Sequence, residues 1–233
     1  MKDPKFYRIT SYDRGLLPNP VLRRLEEDAD TMEKWTQKTG LSPGHPAWGI
    51  LYHVMLACLH PDQDNIIVET GTNWGSSSIV IAQAIRDSGR RGRLHTIEID
   101  RVNHEKAKAR VEEAGLSDLV EFHLGASEKV LPALMEKLDS VRFAYLDGGH
   151  GLDTVLVEFD AVQRKLAHGG LVIMDNTYPI ASEGETARVC EALREIVARH
   201  GGNIVNLPFV SWFTPGLAIW QRESLNLFEG LGV

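Results

Sequence analysis

The pattern of apolar and polar positions changes near residue 65 of this 233-residue chain. Before that point, residues 1 to about 45 are polar, with prolines at 4, 18 and 20 and again at 43 and 46. Val21, Leu25, Ala29, Met32 and Trp35 recur near helical spacing and predict one helix from Pro20 to about Lys38. Trp48, Leu51, Tyr52, Met55, Leu56 and Leu59 predict a second amphipathic helix over Pro46 to Leu59. Beyond residue 65, short apolar runs alternate with amphipathic segments. Asn65 to Glu69, Arg93 to Ile99, Val120 to Leu124, Arg142 to Asp147 and Leu171 to Asp175 read as strands. Ser77 to Ser88, Val102 to Ala114, Ser127 to Lys137 and Asp153 to Leu166 read as the helices between them, the last ended by His168-Gly169-Gly170. Glu185 to His200 follows as a helix, and Asn203 to Leu207 and Leu217 to Gln221 as two closing strands.

This alternation predicts an α/β fold: a seven-stranded, mostly parallel sheet with helices on both faces, closed by an antiparallel hairpin at one edge. Residues 1–60 form an N-terminal helical extension, suited to capping the substrate side or to contacting a second copy in a homo-oligomer. Residues 61–233 form the main domain.

Two of the apolar runs end in an acid. Phe143-Ala144-Tyr145-Leu146-Asp147 continues into Gly148-Gly149-His150, and Leu171-Val172-Ile173-Met174-Asp175 continues into Asn176. In an open α/β sheet, ligands bind just beyond the carboxyl ends of the strands. If these strands are neighbours, about 5 Å apart, Asp147, Asp175 and Asn176 can converge on one cation, with His150 beside it. Asp153, at the start of the next helix, is suited to capping it.

The first strand runs into Glu69-Thr70-Gly71-Thr72-Asn73-Trp74-Gly75-Ser76-Ser77-Ser78. Glycines at such a turn let the backbone approach a ligand, and the helix start offers free N–H groups. The turn lacks the Gly-Lys-Ser/Thr ending of a phosphate loop. The second strand ends in Glu98-Ile99-Asp100, and an acid about 20 residues past a Gly-rich turn is placed to hold both ribose hydroxyls of a nucleoside. After the third strand, Gly125-Ala126-Ser127-Glu128 leaves room for a flat base, and Ser127 can also cap the helix.

The order of these motifs, Glu-x-Gly-x-x-x-Gly-x-Ser, Ile-Glu-Ile-Asp, Gly-Ala-Ser, Leu-Asp-Gly-Gly-His and Met-Asp-Asn, resembles class I S-adenosylmethionine-dependent O-methyltransferases. It is similar both to the catechol and caffeoyl-CoA type and to the metal-dependent sugar and antibiotic-tailoring type, over about residues 65–222. The resemblance implies a Rossmann-like methyltransferase fold. It implies that Glu69, Gly71, Asn73, Gly75 and Ser77 line the methionine end of the cofactor, with Asp147 beside them. Glu98 would hold the ribose, and Ala126 and Ser127 would flank the adenine. Asp147, Asp175 and Asn176 would hold Mg²⁺ or a similar divalent cation, and His150 would act with Asp147 in catalysis. His150 stands where catechol-type enzymes carry a lysine, as in the sugar and macrolide group, whereas Asp175-Asn176 follows the catechol type. The implied acceptor is a small hydroxylated molecule, either a sugar-bearing natural product or a vicinal phenol. A metal-independent methyltransferase and a catalytically silent cofactor-binding protein remain alternatives.

Composition narrows the partners. Net charge is −7, and Arg23-Arg24 and Arg90-Arg91-Gly92-Arg93 are the only short basic clusters, which argues against a nucleic-acid partner. No apolar run approaches the ~20 residues of a spanning helix, and no basic-then-apolar leader opens the chain. Cys58 and Cys190 form no close pair. Together these predict a cytoplasmic protein with no membrane contact. Trp212 and Phe213, on the closing loop, are candidate substrate contacts. His45, His53, His60, His95, His104, His123, His168 and His200 show no metal-like spacing along the chain and receive no role.

Overall fold

The computed structural model describes residues 20–25, 27–29, 31–40, 42, 44, 46–178, 185–207 and 216–222. Its strands are β1 (Asn65–Thr70), β2 (Gly92–Glu98), β3 (Val120–Leu124), β4 (Val141–Leu146), β5 (Leu166–Asp175), β6 (Asn203–Leu207) and β7 (Leu217–Gln221). They form one sheet in the order β3-β2-β1-β4-β5-β7-β6. Strands β1 to β5 run parallel, and β7 pairs antiparallel with both β5 and β6. The predicted Rossmann-like sheet with its antiparallel edge is therefore present. The chain winds outward in one direction from β1 through β2 to β3, and in the other from β4 onward. The crevice between the ends of β1 and β4 is the switch point at which such sheets bind ligands.

The helices are α1 (Pro20–Leu25), α2 (Met32–Thr39), α3 (Ala47–Cys58), α4 (Ser76–Ser88), α5 (Arg101–Glu113), α6 (Ser127–Met135), α7 (Leu152–Lys165) and α8 (Glu185–His200). Side chains alternate across the sheet with a period of two. On one face Ile67, Leu94, Phe143, Tyr145 and Ile173 pack with Leu51 and Met55 of α3 and with Ile81 and Ile85 of α4. On the other, Val68, Ala144, Val172 and Met174 pack with Phe159 and Val162 of α7 and Ile196 of α8. Leu22, Leu25, Trp48, Leu51, Tyr52 and Met55 of the N-terminal extension belong to the first of these clusters. Burying a side chain of this size contributes about 1.5–3 kcal/mol. The extension is thus bound to the sheet domain by a continuous core.

Two elements differ from the sequence reading. The single helix expected from Pro20 to Lys38 is two, α1 and α2. Asp28 adopts φ 61°, which a helix cannot continue through. Thr31 then caps α2, its hydroxyl accepting the Lys34 N–H at 3.2 Å. In the second case, His168-Gly169-Gly170 does not close α7 but lies within β5, which starts at Leu166. Gly169 takes φ 72° there, beside a register shift between Val141 and Phe143 of β4. Residues 1–19 of the extension, most of the loop after Thr177, and Trp212 and Phe213 lie outside the described residues.

Candidate active site

The turn after β1 is built from left-handed positions. Gly71, Asn73 and Gly75 have φ of 79°, 48° and 77°. At Gly71 the constraint is steric as well, since a Cβ would stand 1.9 Å from the Asp147 carbonyl oxygen. At Gly75 a Cβ would press on Ala107 of α5 at 3.1 Å. Gly71 and Thr72 donate backbone N–H bonds to the Ile97 carbonyl at 3.0 and 3.2 Å, which ties the turn to β2. The Asp147 N–H donates to the Thr70 carbonyl at 3.2 Å, joining the ends of β1 and β4.

Glu98 closes this side. It is buried, and its carboxylate accepts the Asn73 N–H at 2.6 Å and the Asp100 N–H at 2.8 Å. Those bonds hold the carboxylate still while leaving it oxygen lone pairs for a ligand.

The two acid-tipped strands are adjacent, with Leu146 opposite Met174. Tyr145, fully buried, links their acids: its hydroxyl donates to Asp175 Oδ2 at 2.8 Å and lies 3.4 Å from Asp147 Oδ2. Burial, with both carboxylates nearby, pushes the Tyr145 phenol well above its ordinary pKa, so it stays a donor. Asp175 Oδ1 also accepts the N–H of Asn176, which sits at φ 57°. Burial raises the Asp147 carboxyl as well; the His150 and Tyr145 hydrogen bonds oppose it. His150 Nε2 stands 3.7 Å from Asp147 Oδ1.

These groups surround one cavity of about 800 Å³. Of the predicted site residues, Gly71, Asn73, Glu98, Ser127, Asp147, His150, Asp175 and Asn176 line it. Glu69, Gly75, Ser77 and Ala126 do not. Glu69 is fully buried behind the turn, where Ser78 and Thr96 donate hydroxyls to its Oε2 and its Oε1 has no partner. Burial pushes its pKa up to about 7. Ser127 is the first residue of α6 rather than its cap, a position held by Ala126, and Gly151 rather than Asp153 precedes α7 as cap. Sequence reasoning missed Tyr145 and also Thr36 and Gly40, through which the N-terminal extension reaches the cavity wall. The alternation of β4 puts Tyr145 on the same side as Asp147, a signal that was available.

A second buried acid lies beneath this floor. Glu158 of α7 accepts the Thr70 hydroxyl at 3.0 Å, and its Oε1, without a partner, would stand 2.7 Å from a Cβ at Gly148. Burial pushes its pKa up to about 7, against the Ser127 and Thr70 hydroxyls. An unfolded glutamate releases its proton near 4.3. Between those pH values the folded chain holds the extra proton, so stability falls as pH rises through the window. Glu158 accounts for on the order of 3 kcal/mol of that fall, and Glu69 for a similar share. Glu158→Gln is therefore expected to remove about half of the loss between ~pH 5 and ~pH 8 in urea unfolding. An undiminished loss contradicts this assignment.

The donor set fits a hard divalent cation. Asp147, Asp175 and Asn176 offer oxygen only, the ligand type Mg²⁺ takes. Among the described residues lining the cavity there are four acids, Glu98, Glu128, Asp147 and Asp175, and no lysine or arginine.

Residues 68–177 match a family model described as a methyltransferase domain. Catechol O-methyltransferase of Sus scrofa is 32% identical over 117 residues, 48% of this chain and 60% of that protein. Catechol O-methyltransferase of Bos taurus is 28% identical over 162 residues, 67% of this chain and 55% of that protein. The chain thus spans less than two thirds of the length of these curated relatives. Among solved structures, the O-methyltransferase TomG from Streptomyces achromogenes, involved in tomaymycin synthesis and solved with S-adenosylmethionine, aligns with a TM-score of 0.69 at 23% identity. That alignment covers 90% of this chain and 93% of TomG. An O-methyltransferase from Bacillus cereus in complex with S-adenosylhomocysteine aligns with a TM-score of 0.70 at 17% identity, covering 89% and 93% of the two chains. The fold is the one these methyltransferases share, and the central segment of the chain, residues 68–177, matches a methyltransferase domain. The resemblance to S-adenosylmethionine-dependent O-methyltransferases read from the motif order is borne out.

Proposed function

We propose that this chain is an S-adenosylmethionine-dependent, divalent-metal-assisted O-methyltransferase. Its acceptor is a hydroxyl of a small polyhydroxylated molecule, a sugar-bearing natural product or a vicinal phenol. The observation that carries this reading is the meeting of Glu98, Asp147, Asp175, Asn176 and His150 around one cavity at the strand ends. The catechol O-methyltransferase relatives and TomG support it. The free thiols Cys58 and Cys190 fit a cytoplasmic setting. Among the described residues no helix is long and apolar enough to cross a membrane.

S-adenosylmethionine, when bound, supplies a sulfonium methyl group open to direct displacement by an oxygen. A Mg²⁺-type cation, when held by Asp147, Asp175 and Asn176, supplies positive charge that lowers the pKa of a nearby hydroxyl. The protein's own residues do the rest. Glu98, held by two backbone N–H groups, accepts the ribose hydroxyls. Ile99 at the cavity edge is 71% exposed, an apolar surface that a purine can cover, and Ser127 lines the same cavity. Gly71, having no side chain, lets the turn pack directly against the Asp147 carbonyl, which keeps the ends of β1 and β4 together at the cavity floor. Tyr145 holds the Asp175 carboxylate in place through its hydroxyl. His150 takes the acceptor's proton at Nε2, where the Asp147 carboxylate stabilises the imidazolium. An imidazole is the side chain suited to moving a proton near neutral pH.

Calorimetric titration with S-adenosylmethionine tests the cofactor reading, and no binding would end it. For the base, His150→Ala is expected to lower turnover by about 10²–10⁴-fold while cofactor affinity holds. Unchanged turnover would remove His150 from the reaction.

A further inference from the structure

Among the described residues one cluster of three His, Asp or Glu donors lies away from this cavity: His95, Glu121 and His123. It is formed across the edge of the sheet. His95 of β2 is opposite Glu121 of β3, and His123 follows Glu121 on the same side of that strand. His95 Nδ1 lies 3.2 Å from His123 Nε2 and 3.6 Å from Glu121 Oε2. His123 Nε2 lies 3.7 Å from Glu121 Oε1. In a tetrahedral site with bonds of about 2.1 Å, neighbouring donor atoms stand about 3.4 Å apart. The cluster already has that spacing.

We propose that His95, Glu121 and His123 form a second cation site, for a borderline divalent transition metal such as Zn²⁺, that clips edge strand β3 to β2. Two imidazoles and one carboxylate select such a metal over Mg²⁺, which prefers oxygen alone. His95 is buried, whereas Glu121 is half-exposed, so the fourth position opens to water. Burial lowers the pKa of both imidazoles, which leaves their ring nitrogens able to ligate at neutral pH. The clip has a structural use. Strand β3 pairs with β2 alone, and the two strands lead into Gly125-Ser127 and Glu98 of the cavity wall. Nothing in this site depends on methyl transfer.

The test is a Zn²⁺ titration of metal-free full-length protein in a large excess of Mg²⁺, which occupies oxygen-only sites. A single tightly bound equivalent and a raised unfolding temperature are expected. His123→Ala and Glu121→Gln, the latter keeping the side chain's shape at a half-exposed position, should each weaken Zn²⁺ binding by about tenfold or more. Asp175→Asn should leave it intact. Absence of Zn²⁺ binding under excess Mg²⁺ would overturn the proposal. So would equal affinity in Glu121→Gln and the parent, or loss of the equivalent in Asp175→Asn. The cluster would then be a histidine–histidine hydrogen bond with an acid beside it.

Discussion

Gly71→Ala is expected to abolish cofactor binding and to lower stability more than any other single methyl addition near the site. Two costs combine. Holding a non-glycine residue in the left-handed conformation that Gly71 adopts costs about 1–3 kcal/mol. The added Cβ would also stand 1.9 Å from the Asp147 carbonyl oxygen, a backbone atom that no rotamer change can move away. Relief requires β1 and β4 to part where their ends are joined, displacing Asp147 and the turn that holds Asn73 against Glu98. A domain stable by about 5–15 kcal/mol survives such a change only with a clear loss. Thermal unfolding and S-adenosylmethionine calorimetry check this together. Parent-like values in both would show that the strand ends are not held as described. Gly89 is the control: it too has a positive φ, but no atom lies within 4 Å of its added Cβ, so alanine there costs backbone strain alone.

Asp175→Asn is expected to lower turnover by about two to three orders of magnitude, the scale of losing one electrostatic group that acts on the transition state. The amide keeps the carboxylate's size and its oxygen can still accept the Tyr145 hydroxyl, so the change removes the charge and the hydrogen bond from the Asn176 N–H while leaving the packing in place. With Asp147 as the remaining carboxylate of the pair, Mg²⁺ affinity should fall and more Mg²⁺ should recover part of the rate. S-adenosylmethionine affinity should change little, because Glu98 and the Gly71 turn lie on the other side of the switch point. A parent-like rate in Asp175→Asn would place the metal, or the reaction, elsewhere.

Much of this site was legible in the chain because the signals are local. An apolar run ending in Asp147 or Asp175 marks where a parallel strand meets solvent, and a glycine pair after β1 marks a turn that approaches a ligand. Glu98 stands out in the chain as a strand-end acid about 20 residues past the Gly-rich turn. What the sequence did not disclose depends on which residues become neighbours across the sheet. Tyr145 bridges two acids only because β4 and β5 are paired in one register. His95 and His123 are far apart in the chain, and their contact follows from the β2–β3 register. Glu158 is one polar position of a helix with no local signal to mark it, yet it lies under Gly148 with an unpartnered oxygen. Thr36 and Gly40 reach the cavity because the expected N-terminal helix breaks at Asp28, a backbone turn that apolar spacing cannot report.

In the proposed reaction the acid-tipped strands hold a cation beside a bound S-adenosylmethionine for transfer to oxygen. Its most direct test is methyl transfer to a vicinal phenol and to a sugar diol, followed by mass spectrometry, with Mg²⁺, with EDTA, and with Mg²⁺ restored. An O-methylated product from at least one acceptor is expected, lost with EDTA and recovered on restoring Mg²⁺. Product formation at the same rate in EDTA would contradict it.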